Sequence, residues 1–321
     1  MSRDVAVVVE HLGGRIADVT FEMLGRGREL AQAAGGRLVA VAAGQGLAGM
    51  AKELGAADAV VLCQGPGLEH YTPEAHQQAL AAIVKARAPR VTLVANTSMG
   101  MDLAAGLAAA LGWPLVAYCK TARLEGDALV ATSQIYGGKL LAEAEVAGEH
   151  AVLSILAGSS PADAGRAAGT PAVEEVAAPA APGRVRFKRL IQPEAGDVDI
   201  TREGVLVSVG RGIQSQDNLP LVEALAAALG GTVSASRPIV DQGWLPKTRQ
   251  VGKSGMTVKP KLYLAVGISG APEHLEGMRG AGLIVAINSD PGAPIFDAAQ
   301  YGIVGDLFDI LPALTDKLKG A

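Results

Sequence analysis

The chain has 321 residues, with 28 Lys and Arg against 32 Asp and Glu and a formal net charge of −4. That length predicts two domains, each able to bury its own core, and the acidic balance argues against nucleic acid as the main partner, since phosphate binding needs a basic face. Aromatic residues make up only 3%, so a bound ring system would have to be held mainly by backbone, aliphatic and polar groups.

The first apolar run, Val5–Val9, is too short for a signal peptide, and no run of about 18 apolar residues follows. Both features predict a cytosolic protein. Val5–Val9, Leu38–Ala42, Ala59–Leu62, Val91–Ala95 and Leu115–Ala117 read as buried strands, rich in Val and Leu without polar alternation. Helical patterns lie between them near 18–34, 47–54, 73–87 and 101–111, and Thr72-Pro73 has the form of an N-cap followed by proline at the first helical position. Further strands are expected at Leu129–Ser133, Leu140–Val146 and Ala151–Leu156. Cys63 and Cys119 stand alone in apolar surroundings without metal-ligand spacing, the pattern of buried reduced thiols. This alternation predicts a mostly parallel, doubly wound sheet.

From Gly158 to Gly183 the composition shifts to Ala, Pro, Gly and Ser, as in a surface loop or linker. A strand is expected at Val185–Leu190 and a second connector at Gln192–Glu203, which puts the domain boundary near residue 195. The second half then restarts the alternation: strand Val205–Val209, helix Asp217–Leu229, and strands Thr232–Ala235, Leu262–Val266 and Leu283–Ile287. A short helix at Pro294–Gln300, a strand at Ile303-Val304 and a closing helix at Leu307–Lys319 complete it. The fold class is therefore α/β, with domains 1–195 and 196–321.

Candidate chemistry concentrates in the second half. Gly210-Arg211-Gly212 joins a strand to a helix, where backbone amides can approach a pyrophosphate, although the third glycine of a dinucleotide fingerprint is replaced by Ser215. Ser236-Arg237-Pro238 follows a strand, at the edge where an arginine can reach a ligand. Gln250-Val251-Gly252-Lys253-Ser254-Gly255 contains Gly-Lys-Ser, but Lys247 stands where a phosphate-binding loop needs its first glycine and no helical pattern follows. An NTPase is rejected. Ser269-Gly270-Ala271-Pro272-Glu273-His274 opens a helix, with His274 expected to point outward from the first turn, where an anion could be met. Asn288 ends a strand in a turn, and Asp306, before Leu307, is a natural N-cap. In the first half His11, His70, His76 and His150 are scattered and suggest no catalytic arrangement.

Taken together, these segments resemble the alpha subunit of the electron transfer flavoproteins through essentially all of 205–319. The resemblance is carried by 209–212, 235–238, 250–255, 262–271, 284–288, 290–296 and 301–307. The first half is similar more loosely, chiefly in Ala95-Asn-Thr-Ser-Met-Gly-Met-Asp102. The resemblance implies a Rossmann-like second domain holding FAD, and a first domain contacting a separate beta subunit. It places Arg211 at the pyrophosphate or ring side, Ser236 and Arg237 beside the flavin, and Ser254 near its N5. Ser269 to His274 would wrap the ribityl and pyrophosphate chain with His274 near the flavin O2, and Asn288, Asp306 and Leu307 would hold the adenosine end.

The activity implied is single-electron transfer from flavin dehydrogenases, such as the acyl-CoA dehydrogenases of fatty acid oxidation, to a membrane quinone oxidoreductase. Two other readings are the FAD-carrying subunit of an NADH-dependent bifurcating flavoprotein and a dinucleotide-binding module without redox work. One departure stands out: the family usually reads Ile-Gln-His where this chain has Pro272-Glu273-His274. A carboxylate at 273 would lower the flavin potential, unless it faces solvent or pairs with a cation such as Lys253.

Overall fold

The structure is a computed structural model and describes residues 2–180, 183–190 and 198–320. The chain divides into two compact units, Met1–Arg189 and Leu190–Ala321. The boundary expected near 195 and the first residues of the 192–203 connector lie outside the described residues.

The first unit runs β1 (Val5–Val8), β2 (His11–Leu12), β3 (Arg15–Ile16), α1 (Asp18–Ala34), β4 (Leu38–Gly44), β5 (Ala59–Gln64), α2 (Pro73–Arg87), β6 (Val91–Asn96), α3 (Ser98–Leu111), β7 (Leu115–Glu125), β8 (Ala128–Ile135), β9 (Leu140–Val146), β10 (Ala151–Leu156) and β11 (Ala172–Ala177). Its sheet has the order β11-β5-β4-β1-β6-β10-β7-β8-β9. All pairs from β11 to β7 are parallel, and β7, β8 and β9 add an antiparallel annex. Every residue of β1 and β4 is buried, as expected for strands covered on both faces. One face carries Val5, Val7, Leu38, Leu93 and Leu153, and the other Ala6, Val8, Val41, Leu80 and Leu107.

Several expectations for this unit are corrected. The 47–54 helix is only a 3₁₀ turn at Met50–Glu53. Helix α3 starts at Ser98 rather than 101, because the Thr97 side chain caps it by accepting from the Gly100 amide. Strand β7 runs well past 117, its outer half alternating exposed and buried residues in the annex. The presumed linker 158–183 contains β11, which pairs with β5 at the sheet edge; its Ala-Val-Glu-Glu-Val-Ala is almost wholly exposed, so it carries no apolar pattern. Val185–Leu190 forms no strand and lies exposed.

The second unit contains β12 (Val205–Val209), α4 (Leu219–Ala228), β13 (Thr232–Ala235), α5 (Arg237–Asp241), β14 (Leu262–Val266), α6 (Pro272–Glu276), β15 (Leu283–Asn288), β16 (Tyr301–Val304) and α7 (Leu307–Lys319). Its five strands are all parallel, in the order β13-β12-β14-β15-β16. The helix expected from 217 opens as a 3₁₀ turn at Gln216–Asn218 before α4, and the one expected at 294–300 is a 3₁₀ turn at Pro294–Asp297. One face packs Val207, Val209, Leu264 and Val266 with Val222 and Leu225 of α4; the other buries Leu206, Tyr263, Ala265 and Leu275. Among the described residues no helix is long and apolar enough to cross a membrane.

Candidate functional site

All five strands of the second unit end at one edge, and the chain reverses its direction of winding at β12, which has β13 on one side and β14 on the other. Ligands of open α/β sheets bind at such a crevice. The loops that carry the candidate residues all leave from this edge: Arg211 after β12, Ser236 and Arg237 after β13, Ser269 after β14, Asn288 ending β15 and Asp306 after β16.

Glycines let the loops meet across the crevice. Gly210 and Gly212 pack on the turn after β14, with the Gly212 amide donating to the Gly267 carbonyl at 3.1 Å. A methyl group on Gly210 would lie 2.3 Å from that oxygen. Gly270 has φ +88, and a methyl there would meet the Ile295 amide nitrogen at 2.2 Å, so Ser269-Gly270 is seated on the Pro294–Asp297 turn.

The polar loop 250–255 joins the same edge. The Val251 amide donates to Ala235 at the end of β13, and the Lys253 amide donates to the Glu273 carbonyl of α6, at 2.9 and 2.7 Å. Buried Gln250 donates from Nε2 to Ser254 Oγ at 2.9 Å and accepts from Lys247 Nζ at 2.8 Å. The fold thereby gathers Ser236, Arg237, Val251 to Ser254 and Ala271 to His274, a set that the sequence spreads over more than thirty residues.

Individual side chains differ from expectation. The His274 ring is buried and does not point outward. Its Nε2 lies 2.9 Å from the Tyr263 hydroxyl, and its Nδ1 is buried without a hydrogen-bond partner. Burial lowers its pKa to about 4, with the Val251 backbone acting the other way. Helix α6 has only five residues, so the dipole field expected of it is small. Glu273 is exposed, and the Lys253 ammonium lies 3.9 Å from Glu276. Ser236 is buried, whereas Arg237 is exposed and pairs with Asp241 at 3.1 Å. Arg211, Lys253 and Ser254 are exposed too. Asn288 donates from Nδ2 to the Ile268 carbonyl at 2.9 Å, Asp306 caps α7 by accepting from the Phe308 amide, and Leu307 is buried in the core. These last three have clear structural work at the edge.

The first unit holds a polar cluster that the sequence did not reveal. At the equivalent edge, Thr97 Oγ1 donates to Glu10 Oε2 at 2.5 Å, across 87 positions. His11 donates from Nε2 to the Ala43 carbonyl at 2.9 Å. Burial raises the Glu10 pKa against the lowering effect of Thr97, and it lowers those of His11 and His76. Only the scattered strand ends Glu10, His11 and Asn96-Thr97, read through the sheet order, could have located it.

Comparison with known proteins agrees with both units. The electron transfer flavoprotein domain matches residues 5–181, and the electron transfer flavoprotein FAD-binding domain matches residues 199–279. The chain belongs to the electron transfer flavoprotein alpha-subunit family. It is 38% identical over 326 residues to the electron transfer flavoprotein subunit alpha of Thermoanaerobacterium thermosaccharolyticum, covering 99% of this chain and 98% of that one. It is 39% identical to the FixB protein of Azotobacter vinelandii, over 99% and 91% of the two chains. It is 34% identical to the acryloyl-CoA reductase electron transfer subunit beta of Anaerotignum propionicum, over 99% and 96%. The role in electron transfer follows from this family. The FAD-binding match spans Arg211 to His274 and stops short of Asn288, Asp306 and Leu307.

Proposed function

We propose that this electron transfer flavoprotein alpha subunit holds FAD at the carboxyl edge of its second unit and works as a heterodimer with a beta subunit in the cytoplasm. The observation that carries the reading is a coincidence of position: the residues matched by the FAD-binding domain supply the loops that the parallel sheet gathers at its switch point. The residues there fit the group. Glycine-lined turns at 210–212 and 267–270 bring main chain close together, Arg211, Arg237 and Lys253 are exposed cations suited to an anionic dinucleotide, and His274 has a buried nitrogen without a partner.

When bound, FAD supplies the reversible one-electron redox chemistry. Arg211 and Lys253 would hold phosphate charge, Arg237 and Ser236 would flank the ring, and Ser254 and His274 would face its polar edge. Val251, Gly252 and Ser269 to Glu273 would line the chain between ring and nucleotide, with Asn288, Asp306 and Leu307 at the adenosine end. The donors in this reading are flavin dehydrogenases such as acyl-CoA dehydrogenases, and the acceptor is a membrane quinone oxidoreductase. Co-expression with the beta subunit, followed by visible absorbance and reduction by an acyl-CoA dehydrogenase, tests it; a colourless complex would defeat it.

A second reading is the FAD-carrying half of an NADH-dependent bifurcating complex: the likeness to an electron transfer subunit of an acryloyl-CoA reductase admits a partner other than a dehydrogenase. Bleaching of the complex by NADH alone would select that reading, and no bleaching would select the first.

A further inference from the structure

The first unit contains a cavity far from the polar cluster at its carboxyl edge. It opens between α2, β5 and the edge strand β11 and has a volume of about 390 Å³, within the range of small-molecule sites. Its floor is β5, where Val61 and Cys63, two positions apart, face the same side and are buried. Its wall is α2, and the space has a cause in the sequence. Ala79, Ala82 and Ala86 recur at helical spacing along the cavity, so methyl groups stand where longer side chains would reach Val176 of β11. The ladder between β11 and β5 holds the strand in place without that contact.

The lining is largely aliphatic, and its two charged groups converge. Arg87, ending α2, forms an ion pair with Glu174 of β11. The pair is unequal: the Glu174 side chain is 57% exposed and that of Arg87 26%. Glu174 can therefore turn to water at little loss, since ion pairs exposed to this degree contribute little. Arg87 cannot do so as readily, because part of its stem lies against the apolar wall. Its planar guanidinium fork fits any carboxylate that arrives in place of Glu174. The Cys63 thiol is the one further polar side-chain group among the described lining residues, and it is a weak donor.

We infer that this cavity binds a small monocarboxylate with an aliphatic chain, its carboxylate taking the place of Glu174 on Arg87 and its chain lying between the alanines of α2 and Val176. Residues of the first unit alone form the site, so it does not depend on the FAD reading. The guanidinium selects against cationic ligands. The aliphatic walls select against sugars and nucleotides, whose hydroxyls would lose water without gaining partners. A neutral hydrocarbon would gain the apolar contacts but not the charge-assisted bonds to Arg87.

The test is isothermal titration calorimetry of the heterodimer with octanoate, and with 1-octanol as its uncharged counterpart. Octanoate should bind saturably and more tightly than 1-octanol. Arg87→Gln should weaken octanoate by about tenfold or more, the usual effect of losing a hydrogen bond to a charged group. Glu174→Gln leaves Arg87 without its competing carboxylate and should tighten octanoate binding. Ala82 is exposed on α2, where leucine suits a helix, so Ala82→Leu should fill the cavity and abolish binding with an unchanged circular dichroism spectrum. No octanoate binding at millimolar concentration, or equal binding of octanoate and 1-octanol, would overturn the inference. So would wild-type affinity in Ala82→Leu or in Arg87→Gln, or a Glu174→Gln complex that binds octanoate no better. Should Arg87→Gln fail to fold, Glu174→Gln and the comparison with 1-octanol still decide.

Discussion

The backbone amide of Lys253 donates to the carbonyl of Glu273 at 2.7 Å, tying the polar loop 250–255 directly to the helix that carries His274. The approach is close enough to depend on glycine at both sides. A methyl group on Gly277 would lie 2.4 Å from the Gly252 nitrogen, and Gly252 itself has φ +134. Gly277→Ala should therefore cost about 1–3 kcal/mol of stability, the usual range for overpacking. Urea unfolding of the variant measures this, with Gly292→Ala as a control in which the new methyl meets nothing closer than 3.4 Å. Equal midpoints for Gly277→Ala and wild type would show that the loop is not docked as described.

The exposure of Glu273 reduces the effect expected of its charge. A carboxylate in water acts on a charge about 4 Å away by about 1 kcal/mol, or roughly 40 mV for one electron, and less with distance and salt. Glu273→Gln should accordingly raise the flavin midpoint potential by no more than about 40 mV. Spectroelectrochemical titration of the two complexes reads the difference. A much larger rise would mean that Glu273 is buried against the cofactor, and a fall would contradict the sign of the argument.

Neutral His274 also makes stability depend on pH. Its pKa falls from 6.5 to about 4 in the folded chain, so the unfolded chain binds the proton first. The associated stability is complete above pH 6.5 and is lost as pH falls from there to about 4, by roughly 3 kcal/mol in all. His11 and His76 act in the same direction and half-buried Glu10 in the opposite one, so the contrast with His274→Gln isolates the effect. Unfolding at pH 7 and pH 4.5 should show a smaller acid loss in the variant than in wild type. An equal loss would exclude His274 as the source.

At the edge of the first unit, Thr97 both caps α3 and donates to Glu10. Thr97→Val keeps the shape and removes both bonds, and should destabilise by about 1–3 kcal/mol, whereas Thr97→Ser should recover most of it. Thermal unfolding of the three proteins compares them directly; a Thr97→Val protein as stable as wild type would show that the cap and the bond to Glu10 together contribute nothing net.

How much of this was legible in the sequence depends on which force fixes each element. Strands β1, β4, β12 and β14 are covered on both faces, so their Val- and Leu-rich runs announced them. Strand β11 was missed because it is held by main-chain bonds to β5 while its side chains stand in water. The loops of the second unit were located by their motifs, and their convergence follows from parallel strands ending at one edge. The direction of His274 was not legible: helical spacing places the residue in a first turn, but only Tyr263, on a strand eleven positions earlier, draws the ring inward. Glu10 and Thr97 meet only because β1 and β6 are neighbours, which local pattern does not reveal.

The most direct test of the central claim is hydrogen–deuterium exchange of the heterodimer with FAD bound and after the flavin is stripped. The FAD site described here should appear as protection confined, within this chain, to 210–212, 236–238, 250–256 and 268–274 and to the segments around Asn288 and Asp306-Leu307, lost on stripping and regained when FAD is restored. Protection that appears instead at Glu10, His11 and Thr97 of the first unit, or nowhere in this chain, would contradict it.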